Sequence, residues 1–395
     1  MTRRRGAWKI AALAVAGALF CAANFVNALH KGGDFEVFVE SGRRLLARTP
    51  LYAESGAGFG VVGPPFQAVF FAPFALVSSL SMTLSRITWY ALGLAALLVG
   101  VALWSVALAE REPSSHRWSE VCSSAVLVPL LAVLLPVQTN FEHQNMNPLL
   151  LACLGVAAYC FRTERDAAAG AAVGTATALK AFPGLLILYF AYRRAWGALT
   201  AAVVTAAALS VAPAVSYGSA GFVVQVRQWV AFSAGGGWPT RGNNQSLIAM
   251  IQRLLGDAEP TLSLAVYVMA VLALLAVFLA TDPTNRAADR RVSVLEIALV
   301  TLVAVIASPI AWDHYWVLLF PAFFAVLNSR LYRNDWRAFA LFWVALVLTS
   351  GFSRMTVGRA GFDYARGASA STLAALLLFG MLLAVRRDLA AQTPA

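Results

Sequence analysis

Asp34 is a carboxylate whose position in the chain suggests chemistry. It lies just beyond the first membrane-length apolar run, in a stretch that also carries Glu36 and Glu40. In the mouth of a membrane-embedded cavity, such a carboxylate could act as a general base that takes the proton from an attacking sugar hydroxyl. The alternatives are a solvated loop acid or a helix N-cap for Asp34, and simple solvent exposure for Glu36 and Glu40.

Four further groups of polar side chains interrupt the apolar sequence and could complete a site. They are Gln144, Asn145 and Asn147; Lys180; Asn244 and Gln245; and Trp312, Asp313 and His314. A lysine at membrane depth is costly unless it is paired or functional. Basic and amide side chains suit an anionic phosphate, and stabilising a departing phosphate lowers the barrier to glycosyl transfer directly.

Several of these residues also have ordinary structural interpretations. Asn147 followed by Pro148 is typical of a helix start, and residues 244–246 could form a turn and a cap. Asp313 could merely orient His314, and the neighbouring aromatic residues could belong to the membrane-interface belt. The sequence has no Asp-x-Asp pair and no His/Cys cluster with ligand spacing, so it predicts no metal site.

The composition indicates a polytopic membrane protein. Of its 395 residues 60% are hydrophobic and 12% are charged, whereas a soluble domain is about a quarter charged. The net charge of +11 fits basic residues in short loops that orient a membrane protein, and nucleic acid is not expected as a partner. All the cysteines lie in apolar runs and are interpreted as core residues, with no disulfide and no metal role. These cysteines are Cys21, Cys122, Cys153 and Cys160.

The distribution of basic residues predicts the topology. Arginines 3–5 precede a first apolar run at about residues 8–29, which is interpreted as a retained anchor with a cytoplasmic N-terminus and Asp34 outside. Residues 30–64 have the periodicity of an interfacial amphipathic helix. The short segment 65–79 is expected to lie in the outer interface, because that choice leaves every strongly basic short loop inside, including those of Arg193 and Arg386. The remaining spans are expected near 85–109, 121–138, 147–161, 168–179, 182–192, 195–217, 262–280, 292–307, 315–328, 336–350 and 369–385.

This topology gives about twelve crossings with both termini cytoplasmic. The segments 168–179 and 182–191 are too short for a bilayer of about 30 Å. We predict a hairpin of short helices that turns at residues 179–183, which is tolerated where helix ends line a cavity. The chain is expected to be a single membrane domain over 1–395, with an outer catalytic loop at 30–84 and a short disordered cytoplasmic tail at 386–395.

Six motifs taken together resemble glycosyltransferase family 87. They are Asp34-Phe-x-Val-Phe with Gly42-Arg-x-Leu-Leu and Pro50-Leu-Tyr52; Pro64-Pro65; Gln144-Asn145-x-Asn147-Pro-Leu-Leu-Leu; Ala178-Leu-Lys180-Ala-Phe-Pro183; Gly242-Asn243-Asn244-Gln245-Ser246-Leu; and Ser308-Pro309-x-x-Trp312-Asp-His314-Tyr. Each motif is weak alone, but they run in family order from residue 34 to 315 and so span most of the chain. The family comprises polyprenyl-phosphate-mannose-dependent mannosyltransferases with the GT-C membrane fold.

The resemblance implies an all-α polytopic membrane protein of about 11–13 transmembrane helices, with interfacial helices in the first outer loop. It implies inverting transfer of a sugar, expected to be mannose, from a polyprenyl monophosphate donor to a glycolipid or polysaccharide acceptor. The reaction is expected at the outer face of the bacterial cytoplasmic membrane, without a metal or other cofactor. Asp34 is the expected catalytic base, and donor phosphate or sugar contacts are expected from Lys180, His314, Asn244 and Gln245. The expected cavity-lining residues are Gln144, Asn145, Asn147, Trp312 and Asp313.

Two other functions fit a membrane protein with buried polar groups. A secondary transporter or a lipid-linked-sugar flippase also needs broken helices and buried charges, and a non-catalytic scaffold would need neither Lys180 nor His314 beyond stability. Against transport, the sequence shows no inverted repeat, and its polar residues are expected on one membrane face. The expected partners are the lipid-linked donor, a glycan acceptor and membrane lipid.

Overall fold

The computed structural model describes residues 17, 19–29, 33–52, 61, 63–109, 123–234, 239–240, 242–256, 260–282 and 290–392. Over these residues the chain is helical and has no named strand, which confirms the predicted all-α class. The α-helices are α1 (Leu19–Leu29), α2 (Asp34–Ala47), α3 (Phe66–Leu80), α4 (Met82–Leu108), α5 (Ser124–Ala132), α6 (Leu134–His143), α7 (Asn147–Arg162), α8 (Asp166–Leu179), α9 (Leu185–Tyr192), α10 (Trp196–Val211), α11 (Ala214–Ala234), α12 (Leu247–Leu255), α13 (Pro260–Ala280), α14 (Arg290–Ile306), α15 (Phe320–Leu327), α16 (Arg330–Asn334), α17 (Trp336–Leu346), α18 (Arg354–Gly367) and α19 (Ala370–Ala391). The 3-10 helices are Phe182–Gly184 and Asp313–Leu319, and a π-helix covers Val347–Gly351.

Polar caps set several helix starts that the apolar runs leave undefined. The Ser81 hydroxyl accepts the Leu84 N–H at the start of α4, and the Ser246 hydroxyl accepts the Ala249 N–H at the start of α12. These bonds satisfy N–H groups that have no partner within the helix. The helix α12 was not predicted from sequence, although Ser246 was recognised as a possible cap.

Two straight helices among the described residues are long and apolar enough to cross a membrane. They are α4 with 27 residues and α13 with 21, and they match the segments predicted at 85–109 and 262–280. Three bent pairs pass the same test of length and composition when each pair is taken together: α5 with α6, α10 with α11, and α17 with α18. The segment predicted to lie in the interface is α3, whose 15 residues give a helix of only about 22 Å.

The prediction of one straight span at 195–217 is wrong. Helix α10 ends at Val211, and the chain turns by 93° into α11. Pro213 lies in the break, where its missing N–H removes a helical hydrogen bond and its ring clashes with the preceding turn. A bend of 60° at Val133 likewise divides the span predicted at 121–138 into α5 and α6.

The amphipathic helix predicted in the first loop is α2, and it packs against α3. Its apolar face carries Phe35 and Phe38, which contact Phe71 of α3, and Phe35 also stacks on Trp89 of α4. Burying aromatic side chains stabilises such a contact by area and adds roughly 0.5–1.5 kcal/mol for each well-oriented ring pair. This aromatic cluster fixes α2 across the ends of α3 and α4.

The predicted break at residues 179–183 is present, but its packing differs from a simple hairpin. Helix α8 ends at Leu179, and α9 begins after the 3-10 turn Phe182–Gly184. Helix α8 packs chiefly along α10. The two backbones are close at Gly170, where a Cβ would lie 2.0 Å from the Ala198 carbonyl oxygen and therefore could not fit. Small residues allow such close backbone approach between membrane helices.

Helix α14 forms the centre of the bundle, and a buried ionic cluster closes one end of it. Within that cluster, Arg193 Nε donates to Glu296 Oε2 at 2.7 Å, Arg193 Nη1 lies 3.3 Å from Asp282 Oδ2, and Arg386 Nη2 lies 3.0 Å from Asp282 Oδ1. Glu296 and Arg386 are fully buried. The cluster therefore joins α9, α13, α14 and α19 through buried, oppositely charged side chains.

The prediction that residues 386–395 form a disordered tail is wrong for residues 386–391, which are helical. Helix α19 continues to Ala391, and Arg386 lies inside the ionic cluster. A fully buried guanidinium paired with carboxylates orders the backbone that carries it. Residues 393–395 lie outside the described part of the chain, as do residues 8–16 and 18 of the predicted N-terminal anchor.

Candidate active site

Asp34 is the first residue of α2, where the chain approaches the end of α6 closely. Gly33 precedes it in an extended conformation, and a Cβ on Gly33 would lie 2.8 Å from the His143 carbonyl oxygen. Glycine therefore allows α2 to begin against this loop. The helix has no side-chain cap at Gly33, so Asp34 is not an N-cap, and its carboxylate is available for other contacts.

Asn145 joins the Asp34 carboxylate to the Lys180 ammonium group. Its Nδ2 donates to Asp34 Oδ2 at 2.6 Å, and its Oδ1 accepts from Lys180 Nζ at 3.2 Å and from the Met146 N–H at 2.8 Å. Because an ammonium group and a backbone N–H can only donate, the amide orientation of Asn145 is determined by its partners. We call the chain of contacts Asp34–Asn145–Lys180 the amide relay.

Lys180 is buried, and its charge is compensated by polar atoms and an aromatic ring. Its Nζ donates to Asn147 Oδ1 at 2.8 Å and lies 3.7 Å from the centre of the Tyr315 ring. Only 8% of the residue is exposed. A buried ammonium group needs such partners to offset its lost hydration, and it presents a fixed positive charge next to Asn145.

His314 completes the surroundings of Asp34. Its Nε2 lies 3.5 Å from Asp34 Oδ2, and this buried nitrogen has no hydrogen-bond partner among the described residues. The His314 carbonyl accepts from Asn147 Nδ2 at 3.1 Å, which ties the loop to α7. Asn147 is therefore not a helix cap: its side chain joins Lys180 to the backbone of His314.

One oxygen of Asp34 carries all of these contacts. Asn145 and His314 both lie against Oδ2, and the Asp34 side chain remains 34% exposed. A buried hydrogen-bond donor fixes one edge of the carboxylate, while an incoming hydroxyl can reach the exposed part. This geometry is suited to a general base.

Gln144 lies in the turn between α6 and α7 and is held mainly through its backbone. Its carbonyl accepts from the Trp89 indole N–H at 2.7 Å, and its backbone is left-handed with φ of 50°. The side-chain Nε2 is buried and has no partner among the described residues. Gln144 thus has a buried donor next to Asn145 in the chain, and its predicted place in the lining of a cavity stays a prediction.

Asn244 and Gln245 form a separate clamp and do not contact Asp34 or Lys180. Asn244 Oδ1 accepts the Ala311 N–H at 3.0 Å, and its Nδ2 donates to the Pro309 carbonyl at 3.2 Å. Gln245 Nε2 donates to the Arg366 carbonyl at 2.8 Å. Since the backbone occupies their polar ends, these amides hold the loop that leads to His314. Their direct contact with a donor stays a prediction.

Trp312 and Asp313 belong to the same clamp. Trp312 forms a backbone bridge with Asn244, and Asp313 is ion-paired with Arg366 of α18. The Asp313 carboxylate pairs with Arg366 and thereby anchors α18 to the loop. Both residues lie next to His314 in the chain and position it through the backbone.

Three contributing residues were not predicted as site residues. Tyr315 lies under Lys180, Asn140 donates to the Asn145 carbonyl at 3.1 Å, and Arg366 pairs with Asp313. Tyr315 directly follows His314, and Asn140 is a polar residue in an apolar helix. These positions give a weak indication in the sequence that both residues belong to the site. Arg366 lies in the polar helix α18, far from Asp313 in sequence, and nothing in its local sequence indicates their ion pair.

The described residues contain no group of three or more His, Cys, Asp or Glu side chains that could hold a metal ion. The described residues that contact Asp34 or Asn145 supply the Lys180 ammonium group, the His314 imidazole and several amides. This set favours an anionic substrate bound next to a proton acceptor.

Comparison with known proteins assigns the chain to a family. Residues 62–309 match the sequence model of Glycosyltransferase family 87. The chain belongs to glycosyltransferase family 87. The matched range includes Asn145 and Lys180, but it begins after Asp34 and ends before His314. The contacts in the structure place Asp34 and His314 next to the matched residues.

The relatives of this family 87 protein are mannosyltransferases. A polyprenol-phosphate-mannose-dependent alpha-(1-2)-phosphatidylinositol mannoside mannosyltransferase of Mycolicibacterium smegmatis is 28% identical over 84% of this chain and 78% of its own. A protein of the same description from Mycobacterium tuberculosis is 27% identical over 73% and 68%. A polyprenol-phosphate-mannose-dependent alpha-(1-2)-phosphatidylinositol pentamannoside mannosyltransferase from M. tuberculosis is 30% identical over 72% and 62%. No solved structure matches.

The family 87 assignment confirms the expected class of protein. The chain is an all-α membrane glycosyltransferase that uses a polyprenyl-phosphate sugar donor. The alternatives of a transporter or a scaffold have no support from any of these relatives.

Proposed function

We propose that this enzyme transfers mannose from a polyprenyl monophosphate donor to a hydroxyl of a phosphoinositol-containing glycolipid, with inversion at the anomeric carbon. The observation that carries the proposal is the amide relay, in which a half-exposed carboxylate and a buried ammonium group flank one amide. The relatives act on phosphatidylinositol mannosides according to their descriptions, which supports this acceptor class.

The reaction uses the two ends of the relay for opposite tasks. The acceptor hydroxyl gives its proton to Asp34 as its oxygen forms a bond to the anomeric carbon. The bond between that carbon and the phosphate oxygen breaks, and the polyprenyl phosphate leaves with the electron pair. Lys180 stabilises the charge that grows on the phosphate, and His314 borders the space between the two groups.

The proposed site faces the outside of the bacterial cytoplasmic membrane. Lys180 and the ionic cluster at Arg193 are separated by the helical segment Phe182–Tyr192, which spans roughly 16 Å. The basic residues near that cluster favour the cytoplasmic side, so both termini would lie there and the relay would lie outside.

A donor screen tests the proposed reaction. The purified protein is incubated with polyprenyl-phosphate mannose or polyprenyl-phosphate arabinose and a phosphatidylinositol mannoside, and the glycolipid mass is measured. We expect a gain of one hexose from the mannose donor, an inverted anomeric configuration by NMR, and an unchanged rate in EDTA. No product from the mannose donor, or a retained configuration, would contradict the proposal.

Cysteine labelling tests the membrane face. In a background without native cysteines, Thr49→Cys near the end of α2 should react with an impermeant maleimide in intact spheroplasts. Arg387→Cys, at the exposed surface near the end of α19, should react only after permeabilisation. The reverse pattern would place the site inside.

A further inference from the structure

A cavity lies at the other end of α2 from Asp34. It has a volume of about 530 Å³ and opens between the loop after α2 and the first half of α11. Its lining includes Arg48, Pro50, Ser216, Tyr217, Val224 and Gln225. Ligand sites commonly enclose about 300–1,000 Å³, so the space suits a headgroup with several rings.

Hydrogen bonds to the loop backbone fix the two walls of this cavity. Gln225 Oε1 accepts the Leu51 N–H at 2.8 Å, and the Tyr217 hydroxyl donates to the Thr49 carbonyl at 2.8 Å. Gln225 is the buried residue of α11, which is otherwise exposed or half-buried. The cavity is therefore a built feature, because these two bonds hold an otherwise exposed helix against the loop.

The backbone of α11 bends inside the cavity. Gly218 has φ of 68° and interrupts the helical geometry of α11, a conformation that glycine adopts without a steric penalty. Gly218 and Gly221 both line the space. The bend and the missing side chains leave room for a ligand between α11 and Arg48.

The charge of the lining favours an anion. Among the described residues that line the cavity, Arg48 is the one charged residue and none is Asp or Glu. Arg44, one turn earlier in α2, is not part of the lining. Its guanidinium group donates to Glu40 Oε1 and to the Leu51 carbonyl. Arg48 therefore offers its positive charge to whatever occupies the cavity.

The distance to Asp34 matches an extended glycan. From Asp34 to Ala47, α2 rises about 20 Å at 1.5 Å per residue. Glu40 and Arg44 lie on a flank of α2, roughly 80–120° around the helix from Asp34, and both are partly exposed. A glycan whose terminal hydroxyl is at Asp34 could thus extend along the length of α2 and have its other end beside Arg48.

We propose that this cavity binds the phosphodiester of the glycolipid acceptor, so that Arg48 recognises the acceptor at the end opposite to the reacting sugar. The inference rests on the proposed function for the identity of the acceptor. It assigns a role to the loop after α2 that differs from the chemistry at Asp34.

Binding of two acceptors tests this assignment. The full-length protein is placed in phosphatidylcholine nanodiscs without donor, and the Kd is measured for a phosphatidylinositol mannoside and for the same glycan on an uncharged alkyl chain. We expect Arg48→Ala to weaken binding of the charged acceptor by roughly tenfold to a hundredfold, the usual effect of one charge-assisted hydrogen bond. The uncharged acceptor should be unaffected.

Matched variants separate the cavity from general effects. Val224→Trp fills the cavity and should also weaken binding of the charged acceptor, whereas Val223→Trp alters the neighbouring exposed valine outside the lining and should not. Arg359→Ala removes an arginine with an 85% exposed side chain on α18 and serves as the charge control.

Each outcome distinguishes the cavity from the reaction. Equal effects of Arg48→Ala on both acceptors, or none, would overturn the assignment while leaving mannosyl transfer intact. If wild type transfers no mannose but Arg48→Ala still weakens binding of the charged lipid, the proposed function fails and the anion site stands. If anionic lipid in the nanodisc competes with the charged acceptor as well as the acceptor competes with itself, the occupant is bulk lipid and the assignment is wrong.

Discussion

Asn145→Ala should separate the two ends of the amide relay. The change removes the donor that holds Asp34 Oδ2 at 2.6 Å and one of the oxygens that accept from Lys180. Lys180 keeps Asn147 Oδ1 at 2.8 Å and the Tyr315 ring. Among its contacts with described residues, Asp34 keeps the one to His314 at 3.5 Å. The carboxylate therefore loses its orientation while the ammonium group largely stays in place.

The expected magnitude follows from these contacts. A hydrogen bond to a charged group contributes about 1.5–3 kcal/mol, and each 1.36 kcal/mol changes a rate about tenfold. We therefore expect kcat to fall roughly tenfold to a hundredfold. The KM for the donor should change by less than about tenfold, because Lys180 retains two of its partners.

The assay needs a control for stability, since Asn145→Ala also leaves the buried Met146 N–H without its partner. That loss should lower Tm. Asn328→Ala removes an amide that donates to two backbone carbonyls far from Asp34 along the fold, so it should lower Tm without changing kcat.

A double-mutant cycle completes the test. If Asn145 acts through Asp34, Asn145→Ala should cost little additional rate in an Asp34→Asn background. An unchanged kcat with a lowered Tm, or an equal loss of rate in both backgrounds, would refute the relay.

Three further predictions follow from the other contacts. Lys180→Met should raise the inhibition constant of polyprenyl monophosphate by about tenfold or more, measured by competition with the donor; an unchanged constant would exclude the phosphate contact. Gln245→Ala should lower Tm by several degrees and leave the donor KM within about threefold, because its amide bonds the backbone; a raised donor KM at unchanged Tm would instead favour a direct donor contact. Glu296→Gln should destabilise the ionic cluster by about 3–5 kcal/mol, seen as a lower Tm with normal kcat in the folded fraction; full stability would show that the cluster is not structural.

The apolar sequence predicted most of the helices but not where they bend. Helices α4 and α13 follow continuous apolar runs, and α2 has a clear amphipathic period, so local pattern was sufficient. The break after Val211 depends on Pro213, but the apolar run continues past this proline and therefore predicted one unbroken span. Helix α18 has a polar surface, and only its tertiary contact between Arg366 and Asp313 explains its place.

The site residues divide according to how their polar groups are satisfied. Asp34, Asn145, Lys180 and His314 converge as predicted, because a buried charge requires partners and few polar residues were available nearby. Asn244 resembles the others in type and in its apolar surroundings, yet the backbone satisfies its amide. Sequence alone cannot separate an amide that binds a ligand from one that binds a loop, since both need the same residue.

The buried ionic cluster was not predicted for a related reason. Arg193 and Arg386 were interpreted as loop charges that orient the chain in the membrane, which requires no partners. Their partners Asp282 and Glu296 are distant in sequence, so only the folded arrangement shows that these charges stabilise the helix ends.

The transfer rate of Asp34→Asn with polyprenyl-phosphate mannose tests whether Asp34 is the general base. The variant keeps the shape of the side chain but cannot accept a proton as a carboxylate does, and a general base typically contributes about 10²–10⁴-fold. We predict a loss of that size with normal folding and nearly normal binding of polyprenyl monophosphate. Turnover close to that of wild type would show that Asp34 does not remove the acceptor's proton.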